Sequence, residues 1–233
     1  MSWPKSSFLA TGIGYQPTAG RDLRIDLLRG CAVVAMIIDH LAGSSFMYFL
    51  TDGGHFFTSA AEGFVFISGF IGAVVYRRLA TVHGLRSACV RILNRAGLLY
   101  ALSVLLTLLV LPVSEYFRAG PCGGCQGMGI SLQDPLHLAW AVVTLRQTYF
   151  LVDIPLLYTR LLLLAPLGLV LLTRGKTWLL VTLSFGVWAG YQLAPDTFML
   201  GWTIADNTTF HLPSWQLVFF GGMVLGYHRN HLG

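Results

Sequence analysis

Residues 27–50 have the sequence LLRGCAVVAMIIDHLAGSSFMYFL, and this apolar run decides the class of fold. A helix needs about 20 residues to cross the hydrocarbon core of a bilayer, so the run predicts a membrane span over residues 29–50. Arg29 lies at its start, and Asp39 and His40 lie inside it. Ionisable groups are costly at that depth and usually mark a functional site or a water-lined cavity. Arg29 and His40 are eleven residues apart, so they share one helix face and lie roughly 16 Å apart along the axis.

The composition places the whole chain in the membrane class. The 233 residues are 55% hydrophobic and only 11% charged, with a mean hydropathy of +0.67. A soluble domain carries about 25% charged residues. The first twenty residues hold no apolar core long enough for a cleavable signal peptide, so we expect the first span to be an uncleaved anchor.

Apolar runs bounded by charge, proline or glycine predict an all-α, polytopic membrane bundle of about six spans. The spans are approximately 29–50, 59–76, 96–114, 153–173, 177–194 and 213–228. Residues 136–151 are too short and too interrupted to span, and Arg146 would be stranded in lipid, so they predict an interfacial helix on the outer face. The chain then divides into a cytoplasmic segment at 1–28, the bundle at 29–228 and a cytoplasmic tail at 229–233.

The distribution of charge predicts the orientation. The positive-inside rule places both termini in the cytoplasm, in a multi-pass protein of the bacterial inner membrane. The same pattern explains the net charge of +5 without nucleic-acid binding. The basic residues on the predicted cytoplasmic side are Lys5, Arg21, Arg24, Arg29, Arg77, Arg78, Arg86, Arg91, Arg95, Arg174, Lys176 and Arg229, against Arg118 and Arg146 on the other side.

His40 is the predicted catalytic residue. A histidine beside carboxylates can be oriented and kept basic, as a general base acting on a hydroxyl requires. Asp39 is adjacent to it, and Glu62 lies near the outer end of the second predicted span. A simpler interpretation stays open, in which Arg29 extends to the cytoplasmic interface and His40 makes a hydrogen bond between helices.

Cys122 and Cys125 lie in the Gly-rich outer segment PCGGC. Their spacing is typical of metal ligands or a redox pair, but a c-type haem needs histidine directly after the second cysteine, and here Gln126 follows. A closed zinc site needs two further ligands, with His137 the only nearby candidate. A local disulfide is the simplest interpretation on an oxidising face, and no metal site is predicted.

Four segments of the chain resemble the OpgC family, which belongs to the wider group of acyltransferase-three and heparan-glucosaminide-acetyltransferase-like membrane proteins. The resemblance covers most of residues 21–226. In chain order, the segments are RIDLLRGCAVVAMIIDH, SAAEGFVFISGF, DIPLLYTRLLLLAPLGLVLL and PSWQLVFFGGMVLG.

The resemblance implies transfer of an acyl group, succinyl or acetyl, onto a sugar or glucan hydroxyl. The donor would be an acyl-CoA on the cytoplasmic side, with no tightly bound cofactor, and the acceptor would lie outside. In the wider group an Arg at the start of the first span and a His near its end are functional, and these match Arg29 and His40. We expect Arg29, Arg91 and Arg95 to meet the donor phosphates, because guanidinium groups bind phosphate well.

The chain also departs from the family pattern. Ser59 stands where an acid is expected and Ser103 where a histidine is common, and the resemblance implies further helices after WQLVFF. These departures predict an alternative: a catalytically degenerate accessory subunit of a larger membrane complex, whose small-residue helix faces would pack against partner subunits.

Overall fold

The computed structural model describes residues 23–40, 60–119, 135–144, 153–198 and 210–229, and no β-strand occurs in these ranges. The prediction of an all-α protein is therefore confirmed for the described part of the chain. The helices, numbered in chain order, are α1 Leu23–His40, α2 Ala60–His83, α3 Leu85–Ala119, α4 Pro135–Val143, α5 Asp153–Thr173, α6 Thr177–Leu193, α7 Pro195–Phe198 and α8 Leu212–His228.

The helix boundaries follow the predicted spans closely in the second half of the chain. There α5, α6 and α8 agree with 153–173, 177–194 and 213–228 to within one residue. In the first half α1 begins six residues before position 29, α2 continues seven residues past position 76, and α3 begins eleven residues before position 96. Gly84, with a φ of 85°, is the single residue between α2 and α3. The basic segment between the second and third predicted spans is therefore almost wholly helical.

Three helices are long and apolar enough to cross a membrane: Ala60–His83, Leu85–Val110 and Ile154–Thr173. With 17 residues each, α6 and α8 are about 25 Å long, which is near the lower limit for a span. In α1 the apolar stretch is Leu27–Ile38, and the description ends at His40, so the rest of the first predicted span lies outside the described residues. The membrane class is thus supported, and the count of six spans stays a prediction.

The closest helix contact joins α2 to α8. A Cβ atom added at Gly69 would collide with the carbonyl oxygen of Phe219, and one at Gly222 with the carbonyl oxygen of Phe66. One turn further on, Gly226 lies in the same way against the Phe70 carbonyl. Small residues let two backbones approach closely in a membrane, and here they form a Gly-xxx-Gly motif on α8. The contacts advance in the same direction along both helices, so α2 and α8 are parallel.

The central helix of the described bundle is α5. In α5, 67% of an 18-residue stretch is buried inside the bundle. The corresponding values are 28% for α2 and 22% for α3. The Phe220 ring of α8 packs directly against Gly168 of α5, where an added Cβ atom would collide with it. A buried polar link joins α6 to α8: the Ser184 hydroxyl donates to Gln216 Oε1 at 2.6 Å, and Gln216 Nε2 donates to the Ser184 carbonyl at 2.7 Å. Helix α8 therefore contacts α2, α5 and α6.

We predict that Gly222→Ala destabilises the protein, because the added methyl group meets the backbone of Phe66 and Phe70, which cannot yield by changing rotamer. The expected loss is about 1–3 kcal/mol, measured as a lowered unfolding midpoint of the purified protein in detergent. Gly221→Ala is the matched control, since a Cβ atom there meets nothing within 4 Å. Equal midpoints for the two variants would contradict the close packing of α2 on α8.

Candidate functional site

One helix carries Arg29, Asp39 and His40, because α1 continues without interruption from Leu23 to His40. The predicted separation of roughly 16 Å along one helix is therefore confirmed for the backbone. The side chains of Asp39 and His40 lie outside the described part, as do Cys122 and Cys125. Their predicted roles stay predictions.

Arg29 contacts the other helix of the predicted site. Its guanidinium carbon lies 5.3 Å from the centre of the Phe64 ring, within the range of a cation–π interaction. Phe64 follows Glu62 by two residues near the start of α2. The structure therefore places Arg29 beside the end of α2 that carries Glu62.

This placement of Arg29 differs from the predicted one. We expected Arg29 to lie with the basic residues at the cytoplasmic end, but Phe64 precedes Arg77 by thirteen residues of α2, or about 20 Å. An arginine side chain is much shorter than that, so the part of α1 that carries Arg29 itself lies beside the start of α2.

Three aromatic rings connect α2, α5 and α8. The Tyr158 ring packs edge-on against Phe64, with centroids 5.9 Å apart, and against Phe219, with centroids 6.4 Å apart. Such edge-to-face pairs are favourable beyond the area that they bury. We call Phe64, Tyr158 and Phe219 the aromatic core. Tyr158 and Phe219 are almost fully buried.

A second arginine, Arg95 on α3, interacts with tyrosines at or near the aromatic core. Arg95 has Tyr158 and Tyr76 as electrostatic neighbours, and Tyr76 is within hydrogen-bonding reach of its guanidinium group. Arg91 is one turn earlier on the same side of α3 and is exposed. The structure therefore brings Arg29 and Arg95 toward the same three-ring cluster, and Arg95, like Arg91, is exposed on α3.

Arg160 is a buried cation that we did not assign to the site from the sequence. It is the largest fully buried side chain of the described residues, at 1% exposure. Leu156, one turn earlier on the same face of α5, packs against Tyr100 and Val104 of α3. The Arg160 side chain therefore starts from the face of α5 that meets α3. The sequence signal was present, because an arginine inside an apolar span is costly and usually marks a functional site or a paired group.

Two other features bear on the chemistry of the site. Among the described residues, no group of three or more His, Cys, Asp or Glu side chains could hold a metal ion. Cys31 and Cys89 are free thiols in the described ranges. The described part of the site therefore offers arginines and phenols in an apolar setting, which suits binding of an anionic or hydroxylic ligand.

A family model described as OpgC protein matches residues 21–232. No curated protein and no solved structure was found to match the chain.

We predict that Tyr158 supports the bundle through its ring. Tyr158→Ala should lower the free energy of unfolding by about 3–5 kcal/mol, because both edge-to-face contacts are lost and a cavity remains. Tyr158→Phe keeps the ring and should cost less than about 1 kcal/mol. Unfolding midpoints in detergent measure both, and an equally large loss for Tyr158→Phe would show that the hydroxyl, not the ring, is what the fold needs.

Proposed function

The chain belongs to the OpgC family, and we propose that it is an O-acyltransferase that acts across the bacterial inner membrane. The donor is an acyl-CoA on the cytoplasmic side, used as a co-substrate. The transferred group is succinyl or acetyl, and the acceptor is a sugar or glucan hydroxyl on the outer side.

The observation that carries the proposal is the pair of arginines on the aromatic core. Arg29 comes from α1 and Arg95 from α3, and both are linked to Tyr158, directly or through Phe64. Cations within apolar helices are costly and are kept mainly where they bind or pair. Guanidinium groups bind phosphate and carboxylate groups strongly, so the pair suits an anionic co-substrate that enters the bundle.

The residue roles follow from this arrangement. His40 would take the proton of the acceptor hydroxyl, with Asp39 or Glu62 orienting its ring. The hydroxyl oxygen would then form a bond to the acyl carbon as the carbon–sulfur bond breaks. The proton passes from His40 to the departing sulfur, which leaves as the thiol of CoA.

The position of Arg29 separates it from Arg91 and Arg95, the other two predicted donor-binding residues. Arg91 and Arg95 lie six and ten residues from the start of α3, and we assign them to the donor phosphates. Arg29 lies over Phe64, at the end of α2 that carries Glu62, and we assign it to the half of the site where the acyl group meets the acceptor.

We also propose the membrane arrangement predicted from the sequence: six spans, both termini in the cytoplasm and α4 on the outer face. Two contacts support the arrangement of α2, α6 and α8, whereas the contact between Arg29 and Phe64 does not support the predicted cytoplasmic position of Arg29. Arg77 on α2 meets Tyr227 on α8, and Thr177 on α6 meets His228. These contacts bring the ends of α2 and α8 close to the start of α6. Spans that alternate in direction require this, because α6 would run opposite to α2 and α8. Basic residues surround this end of the bundle, which fits the positive-inside rule.

The alternative is an accessory subunit without activity. Ser103, at a position where relatives commonly have histidine, is 1% exposed, and its hydroxyl has no hydrogen-bond partner among the described residues. A buried hydroxyl without a hydrogen-bond partner favours the accessory subunit, in which the side chain at this position no longer has a catalytic role. The sequence predicted that the small-residue face of α2 packs against a partner subunit. In the structure Gly69 of that face packs against α8 of the same chain, so the face gives less support to a partner.

We predict that His40→Ala abolishes acylation. Removal of a general base lowers the rate by roughly 10²–10⁴-fold, so the acyl ester content of the glucan, measured by mass spectrometry from cells, should fall to background. His83→Ala is the control, since His83 is exposed at the end of α2, and it should leave acylation unchanged. Acylation retained in His40→Ala, with equal protein in the membrane, would contradict the proposal.

Purification in the native state separates the enzyme from the accessory subunit. The enzyme should be isolated alone and should bind acyl-CoA, and that binding should weaken in Arg95→Gln. A stoichiometric complex with another membrane protein, without acyl-CoA binding, would support the accessory role instead.

A further inference from the structure

The ends of α2 and α8 are held together by Arg77 and Tyr227. The Arg77 guanidinium carbon lies 4.7 Å from the centre of the Tyr227 ring, and its Nη1 donates a hydrogen bond to the Tyr227 carbonyl. A stacked and hydrogen-bonded arginine has little conformational freedom. Arg77 therefore fixes the position of its neighbour in sequence, Arg78, relative to the end of α8.

A second contact brings α6 to the same place. The Thr177 hydroxyl and His228 Nε2 are 2.9 Å apart. Lys176 precedes Thr177 and Arg229 follows His228, so the two cations flank this hydrogen bond from two helices. The turn from α5 into α6 passes through Gly175, whose φ of 69° allows a tight connection, and it places Arg174 beside Lys176.

We call Arg78, Arg174, Lys176 and Arg229 the basic junction. All four side chains are exposed. No Asp or Glu occurs in residues 63–114, 154–195 or 207–233, which include these helix ends. The carboxylates on α2 and α5, Glu62 and Asp153, lie at the opposite ends of those helices from the four positive charges. The positive-inside rule accounts for cations at this end of the bundle but does not require that the helix ends carrying them be joined, as they are by Arg77 with Tyr227 and by Thr177 with His228.

Apolar side chains continue from the basic junction along the outside of the bundle. Trp178, at 69% exposure, is two residues from Lys176, and Val181 and Phe185 extend its face of α6. On α8, the exposed Leu225 lies one turn before Arg229 on the same face. Tryptophan is typical of the level of lipid headgroups. The surface thus has a charged rim and an apolar strip below it.

We propose that the basic junction binds the phosphate headgroup of an anionic phospholipid, with the acyl chains lying along the exposed faces of α6 and α8. Basic sites between membrane helices bind such headgroups, and arginine binds phosphate with two parallel hydrogen bonds. A lipid fits better than a soluble phosphate compound, because only a lipid uses the apolar strip as well as the charges. The inference does not depend on acyl transfer.

The test uses the full chain in neutral detergent, with phosphatidylglycerol, cardiolipin or phosphatidylcholine added at equal concentration. Native mass spectrometry counts the bound lipids, and the unfolding midpoint reports their effect. The anionic lipids should bind and raise the midpoint by mass action, and phosphatidylcholine should do neither. In the double variant Lys176→Gln/Arg229→Gln the affinity for anionic lipid should fall at least tenfold.

Two further variants make the test specific. The double variant Arg86→Gln/Arg91→Gln removes the same charge from α3 and should keep lipid affinity within about twofold of the original chain. The double variant Lys176→Arg/Arg229→Lys keeps the charge at the junction and should also bind. An equal loss in both glutamine doubles would show bulk charge attraction and overturn the site.

A competition arm distinguishes lipid from the proposed acyl donor. CoA at excess should leave the bound lipid in place, because the junction lies outside the aromatic core. Displacement of the lipid by CoA would assign the junction to the donor and overturn the proposal. If acylation fails in His40→Ala while lipid binding persists, the two sites are separate, so failure of either proposal can be recognised without the other.

Discussion

The close contact between α2 and α8 is the constraint on which the rest of the described structure depends. Lipid tails are as apolar as leucine, so helices in a membrane gain little from burial and associate through packing and hydrogen bonds. At Gly69, Gly222 and Gly226 the absence of a side chain lets the two backbones touch. With α8 fixed on α2, its other faces can hold Phe219 against Tyr158, Gln216 against Ser184 and His228 against Thr177.

Polar side chains complete this scaffold because an unsatisfied polar group is costly in an apolar surrounding. Gln216 uses both ends of its amide, accepting from the Ser184 hydroxyl and donating to the carbonyls of Ser184 and Pro213. A fully bonded amide fixes the rotation of α6 against α8 as well as their distance. The contact between Thr177 and His228 places the start of α6, with Lys176 and Trp178, at the same end of the bundle as Arg229.

The aromatic core and the basic junction are two different environments for arginine in an apolar chain. Arg29, which is half-buried, lies over the Phe64 ring, and Arg95, which is exposed, has Tyr76 and Tyr158 as neighbours. Arg78 and Arg229 stay exposed at its end, where lipid phosphates and water are available. One set suits a co-substrate that enters the bundle, and the other suits a component of the membrane itself.

The sequence by itself determined the membrane class, the all-α fold, the ends of α5, α6 and α8, and membership of the family. These follow from local hydropathy, from proline and glycine punctuation, and from motifs of adjacent residues. Sequence alone did not give the length of α3, because the arginines at its start interrupt the apolar pattern without interrupting the helix. Only the tertiary structure decided that Arg29 lies beside Phe64, that Tyr158 lies between Phe64 and Phe219, and that the helix ends carrying Lys176 and Arg229 meet. Those contacts depend on the relative rotation and depth of helices far apart in sequence, and glycine contacts and buried hydrogen bonds set that arrangement only when the whole bundle is assembled.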